Sequence, residues 1–275
     1  MKTMDMTRRG LFAGAAALPL ASSLAAATAG TGFKLGVASY SLRKFPRDKA
    51  IEMIKALKVD QVSIKDFHMP VKGTSAEERA AASKAFRDAG IEVKSCGVIQ
   101  MKAEGELKGL FQYAKDAGIP MMITMPSADN LPAIEKLVKE FDMKVAIHNH
   151  GPEDKVFPSS TDAFKLIKNL DKRIGLCVDV GHEVRTGSDL LKVFEQVNSR
   201  LMDVHVKDLT NLREAKSQVP VGDGNIPLAA MFKHLKKVGY TGNVMLEYEI
   251  DADNPLPGMQ KSFSYMRGIL AGLNA

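Results

Sequence analysis

Eight short, β-branched apolar runs alternate with helix-patterned segments after Gly32, and ionisable residues gather where those runs end. Together these observations predict a single-domain α/β fold, a (β/α)8 barrel. The runs are mostly continuous and lack a polar face, as parallel strands covered on both sides require. Eight strand–helix pairs in roughly 245 residues also match the usual size of such a barrel. A doubly wound open sheet is the competing architecture, but no glycine-rich dinucleotide loop follows the first strand.

The elements follow in order. KLGVASY (34–40) reads as the first strand, with DKAIEMIKAL as the helix after it. QVSIK (61–65) is the second, followed by SAEERAAASKAFRDAG, whose Ser75 and Glu78 are spaced as a capping box. The third and fourth are IEVKSCG (91–97) and PMMITM (120–125). DAGI recurs at 88–91 and 116–119, placing Gly90 and Gly118 where helices stop. KVAIHN (144–149), IGLCVD (174–179), LMDVHVK (201–207) and NVMLEYE (243–249) complete the eight, with SDLLKVFEQV helical after the sixth. VGDGNI (221–226) reads as a turn before a helix, since it lacks the length and context of a phosphate loop. Met101, Met121, Met122 and Met125 are expected as core filler. Cys96 and Cys177 are expected as buried thiols, with no Cys-based metal site.

Of 275 residues, 45% are hydrophobic and 25% charged, an ordinary globular balance. The net charge is +6, but residues 1–29 hold Lys2, Arg8, Arg9 and Asp5, so the remainder carries +4. Without a basic block, aromatic interleaving or any Trp, composition gives little support to a nucleic-acid partner. Residues 1–29 read as a twin-arginine export signal: Arg8 and Arg9 precede a weakly apolar, Ala-rich run, and Ala27 and Ala29 offer a cleavage site near Ala29. The run is short for a membrane span and carries Pro19, so export to the periplasm or beyond is expected over stable anchoring. Residues 30–275 then form the barrel domain, and a homo-oligomer is compatible with it.

Barrels of this kind act at the C-terminal ends of their strands. Lys65, Asp66 and His68 follow the second strand and HNHGPED closes the fifth; DVGHEVR, HVKD and EYEID end the sixth, seventh and eighth. His68, His148, His150, His182 and His205 all fall there, while His234 is placed on a helix surface. Converging imidazoles and carboxylates are costly to bury together without a cation between them. Asp179, His205 and Glu247 come from three successive strands and suit one divalent ion, Mn, Zn, Co or Mg, with positions open to substrate oxygens.

DVGH after the sixth strand, HVKD on the seventh and a Glu near the end of the eighth resemble the xylose-isomerase-like TIM barrels, over roughly residues 33–272. The resemblance implies a divalent metal held by Glu, Asp, His and Glu from the fifth to eighth strands, which carries over to Asp179, His205 and Glu247. Many relatives read ENH on the fifth strand, where this chain has His148-Asn149-His150. Either His148 replaces that Glu or the loop supplies Glu153; relatives with a similar His-x-His strand end favour Glu153. Strand alternation puts His148 and His150 on one face, so one binds metal and the other substrate.

The implied chemistry is proton abstraction next to a carbonyl of a sugar, polyol or keto-glycoside, through an enediolate stabilised by the metal. Isomerisation, epimerisation or elimination follows from where the proton goes. The resemblance assigns Glu247 as ligand and base, with Glu153 the other candidate for the base. His182 orients a substrate hydroxyl or acts as acid/base, Lys207 stabilises an oxyanion, and Arg185 either clamps a substrate oxygen or forms an ion pair. Lys65 and His68 either close the far side of the pocket or form a solvated loop pair. An apurinic endonuclease is the less favoured alternative, because that chemistry assembles three metals.

Overall fold

The computed structural model describes residues 32–274. The expected export signal therefore lies outside the described residues. Eight parallel strands close into a barrel: β1 (Lys34–Ala38), β2 (Gln61–Ile64), β3 (Glu92–Met101), β4 (Met121–Pro126), β5 (Lys144–His148), β6 (Ile174–Asp179), β7 (Leu201–Val206) and β10 (Asn243–Leu246), which pairs with both β7 and β1. A small antiparallel pair, β8 (Asp208–Leu209) and β9 (Gln218–Val219), sits in the long connection after β7. The helices are α1 (Arg47–Ala56), α2 (Ala76–Asp88), α3 (Leu107–Asp116), α4 (Leu131–Phe141), α5 (Ser160–Ile167), α6 (Val180–Arg185), α7 (Leu190–Val197), α8 (Leu228–Lys237) and α9 (Leu256–Asn274). No helix among the described residues is long and apolar enough to cross a membrane.

Local chemistry sets the element ends. The Ser75 side chain accepts from the Glu78 amide, and Glu78 accepts from the Ser75 amide, so two otherwise orphaned donors open α2 satisfied. The two DAGI segments end their helices identically. Gly90 and Gly118 take positive φ, and the following Ile91 and Ile119 amides donate back to Phe86 and Ala114 at 2.9 and 3.0 Å. Ser39 and Tyr40, expected at the end of the first strand, instead open a 3-10 turn over Ser39–Leu42.

Most apolar side chains pack between the sheet and the helices, while a small separate cluster of Met121, Ile123, Ala146 and Cys177, with Val98 and Met202 against it, forms a second core. Both cysteines are buried and free, as expected. His234 differs from expectation: it is half-buried against Phe194, because α8 turns that position toward α7.

Register positions the site. Asp179 on β6 lies opposite His205 on β7, His205 lies opposite Met245 on β10, and His148 on β5 lies opposite Cys177 on β6. β10 stops at Leu246, but the Glu247 amide still donates to Val206 at 2.9 Å, which holds Glu247 at the barrel mouth.

Candidate metal centre

His148, Asp179, His205 and Glu247 each bring one ligand atom to a common point, all within 4.8 Å of one another, and all four are buried. His148 Nε2 stands 3.1 Å from His205 Nδ1, 3.6 Å from Asp179 Oδ2 and 3.9 Å from Glu247 Oε2. His205 Nδ1 is 3.3 Å from Glu247 Oε2. Ligand atoms bound to one ion at about 2.0–2.2 Å lie roughly 3–4.4 Å apart, so this set fits a single divalent cation. Asp179 Oδ2 supports that reading, being buried without a well-formed hydrogen bond, while Asp179 Oδ1 accepts from the His182 amide at 2.8 Å and caps α6. Cys177 also approaches His148 and His205. The expectation of no Cys-based metal site is thereby corrected to a cysteine within reach of two of the histidines, because strand alternation puts Cys177 on the same face as Asp179, one layer deeper. Burial raises its thiol pKa well above the usual value, so without a bound cation the sulfur stays protonated.

Lys207 is the cation of this cluster. Its Nζ lies 3.1 Å from Asp179 Oδ2, 3.1 Å from Glu247 Oε2 and 3.0 Å from Glu249 Oε2. Burial works to lower the pKa of Lys207, but the carboxylates of Asp179, Glu247 and Glu249 outweigh it and the ammonium is held charged. Burial likewise pushes the Glu247 carboxyl up, yet Lys207 and His205 overcome it and Glu247 stays ionised. Asp179 is shifted upward by burial against the pull of Lys207. Burial lowers His148 strongly and His150 to a lesser degree; His205 is raised overall, because Glu247 and two aspartates outweigh its burial.

Glu153 is not in this group of four. Its side chain is 68% exposed and its carboxylate pairs with the Arg185 guanidinium at the rim. Arg185 also reaches His182 Nδ1 at 3.1 Å, so it bridges Glu153 and His182. A guanidinium only donates, so Nδ1 accepts and the neutral His182 carries its proton on Nε2. Burial and then Lys207 hold His182 neutral, with a pKa pushed down to about 3. His150 stacks near His148, with ring centroids 4.7 Å apart, and keeps part of its ring accessible.

Lys65 and His68 stand apart from the cluster. Lys65 Nζ donates to the Val98 carbonyl at 2.7 Å. His68 is buried with Nδ1 at 2.9 Å from Ser39 Oγ and Nε2 at 3.2 Å from the Phe45 carbonyl, so it ties two loops together.

Three residues that motif reading passed over complete the site. Glu249, two positions beyond Glu247, gives Lys207 its third carboxylate. Asn149 donates to the Asp179 carbonyl at 3.2 Å and accepts from the Asp179 amide at 2.8 Å, clamping the backbone of that residue. Glu183, buried, accepts from Asn149 and from the Ser160 amide. Glu249 was within reach of strand alternation, being on the same face as Glu247; no sequence signal marks the Asn149–Glu183 pair.

A sequence model described as the Xylose isomerase-like TIM barrel matches residues 24–269. The chain belongs to that family. It is 28% identical over 248 residues to the inosose dehydratase of Geobacillus thermodenitrificans (strain NG80-2), covering 82% of each chain. Among solved structures, an IOLI protein with a bound zinc atom superposes with a TM-score of 0.73 at 16% identity, over 87% of this chain and 98% of that one. The 3-keto-D-glucoside 4-epimerase YcjR of E. coli, in its apo form, superposes with a TM-score of 0.67 at 17% identity, over 86% and 99%. The dehydratase is by name a lyase, and the expectation of an enzyme of the isomerase, epimerase or lyase type agrees with these relatives.

Proposed function

We propose that this chain is an exported, divalent-metal-dependent enzyme that removes a proton next to a carbonyl of a sugar, polyol or keto-glycoside, with isomerisation, epimerisation or elimination as the outcome. The observation that carries the reading is the convergence of His148, Asp179, His205 and Glu247, with Lys207 beside them, at the strand ends where barrels of this family act. Elimination gains weight from the dehydratase relatives. Export rests on Arg8, Arg9 and the Ala-rich run after them.

The fourth ligand in this reading is His148, because it shares the buried point with the other three while Glu153 is engaged by Arg185. A divalent ion held there would polarise adjacent carbonyl and hydroxyl oxygens and acidify the C–H between them. Glu247, ionised, is the carboxylate placed to accept that proton. Lys207, kept charged by three carboxylates, offsets negative charge that develops on a substrate oxygen. His182 presents Nε2–H as a donor to a substrate hydroxyl, with Arg185 and Glu153 fixing its ring from behind.

The test is exchange of solvent deuterium into a panel of ketoses, inososes and 3-keto-glycosides by protein loaded in turn with Mn, Zn, Co and Mg. Incorporation at a carbon next to the carbonyl, lost in Glu247→Gln, is the expected result. No exchange with any metal and any substrate would remove proton abstraction from consideration.

A further inference from the structure

A cavity of about 430 Å³ opens beside His150, whose ring centroid is 4.7 Å from that of His148. Its size falls within the range of ligand pockets, roughly 300–1,000 Å³. Met125 and Pro126, at the end of β4, and Val156, on the loop after β5, give it an apolar wall, with Lys102 and Lys155 at the rim. Val156 is 42% exposed, one of few large apolar side chains so presented among the described residues.

That exposure does not come from a loose loop. Asp154 Oδ1 accepts from the Val156 amide at 2.8 Å and the Phe157 amide at 3.1 Å. Phe157 is fully buried, and the His150 and Gly151 amides donate to the Phe157 and Pro158 carbonyls at 3.2 and 3.1 Å. The loop is therefore built to hold Val156 out over the cavity. Of the acids nearby, Glu153 pairs with Arg185, while Asp154 gives Oδ1 to the loop backbone and turns Oδ2 toward His150 Nδ1 at 3.5 Å without a well-formed hydrogen bond.

We propose that this cavity is a subsite for a second ring carried by the substrate, so that the enzyme selects glycosides over free monosaccharides. The proposal rests on the sugar reading of the metal centre. The reacting oxygens belong at the ligand cluster, and His150 links the two places, since it lines the cavity and its ring centroid stands 4.7 Å from that of the ligand His148. A free monosaccharide at the cluster leaves the cavity to water, whereas a glycoside fills both. An apolar wall faced by polar groups suits a ring with an apolar face and a polar edge, as pyranosyl and aryl groups have. Contact with this non-reacting ring supplies binding energy remote from the chemistry.

The experiment compares binding of phenyl β-D-glucopyranoside and D-glucose to the metal-loaded protein by calorimetric titration, beside Val156→Asp and Met125→Gln. Neither side chain belongs to the catalytic set, and Val156 is on the surface. Burial of one ring predicts about tenfold or greater preference for the glycoside. That preference should shrink at least about fivefold in Val156→Asp. Glucose affinity and metal content should hold, with Met125→Gln acting in the same direction. Equal affinities, no binding of either ligand, or a preference that survives both variants would overturn the subsite. A glycoside preference without deuterium exchange into any substrate would instead uphold the subsite and count against the proposed chemistry.

Discussion

At the scale of single residues, the site is organised by charge. Three carboxylates surround Lys207 Nζ at 3.0–3.1 Å, and the stem of Lys207 is threaded past Gly181, where a Cβ would come within 2.4 Å of its Cγ. The glycine of DVGH is thus needed for the lysine of HVKD, a link between two motifs that lie far apart in the chain. The choice of fourth ligand belongs at the same scale. His148→Ala should cut bound divalent metal, measured by mass spectrometry, to a small fraction of the wild-type value, whereas Glu153→Gln should leave it near one ion per chain. The opposite pattern would return the ligand to the loop. The sequence reading favours Glu153, because strand alternation puts His148 on the right face but cannot show that Arg185 engages Glu153.

At the scale of elements, the connection after β7 is held by one buried carboxylate. Asp208 accepts from the Gly222 and Gly224 amides through Oδ2 and from the Leu209 and Ile226 amides through Oδ1, at 2.9–3.1 Å. VGDGNI is accordingly a folded turn ahead of α8, and a Cβ at Gly224 would strike the Asp208 carboxylate. Asp208→Ala strands buried amide donors and should lower unfolding free energy by about 3 kcal/mol in urea titrations. A loss under about 1 kcal/mol would mean that water replaces the carboxylate there. Strand and helix positions were readable because period and capping are local: each of the eight strands overlaps its expected run, with β3 continuing past it to Met101 and β4 to Pro126, and Ser75 with Glu78 forms the capping box that their spacing announces. Strand ends were less legible, as at Ser39 and Leu246, because they depend on where neighbouring strands stop.

At the scale of the whole molecule, burial of histidines couples stability to pH. Desolvation lowers the pKa values of His68, His148, His150 and His182, the last to about 3. Below about pH 6.5 the unfolded chain takes up protons at these positions that the native protein does not, so stability falls as pH falls. For His182 the fall continues to about 3, at no more than about 1.4 kcal/mol per pH unit. His205 acts in the opposite sense: its raised pKa contributes stability fully present below about 6.5 and lost as pH rises through its native value. Asp179, Glu183 and Asp203, raised by burial and the last pushed up to about 7, act in the same sense as His205. The histidine contribution is therefore read as a difference. In the metal-free protein, His68→Asn should make the urea midpoint fall less, or rise more, between pH 7 and pH 5 than in the unmutated chain. An unchanged pH slope would contradict the burial assigned to that ring. The barrel, its eight strands and the candidate ligands Asp179, His205 and Glu247 were determined by the sequence itself, since apolar period and strand-end position are properties of neighbouring residues. Only the tertiary structure grouped His148 with them, engaged Glu153 with Arg185, gave Lys207 its third carboxylate in Glu249 and turned His68 into a tie between loops. Those outcomes depend on which side chains from separate strands come within a few ångströms of one another, and closure of the barrel decides that.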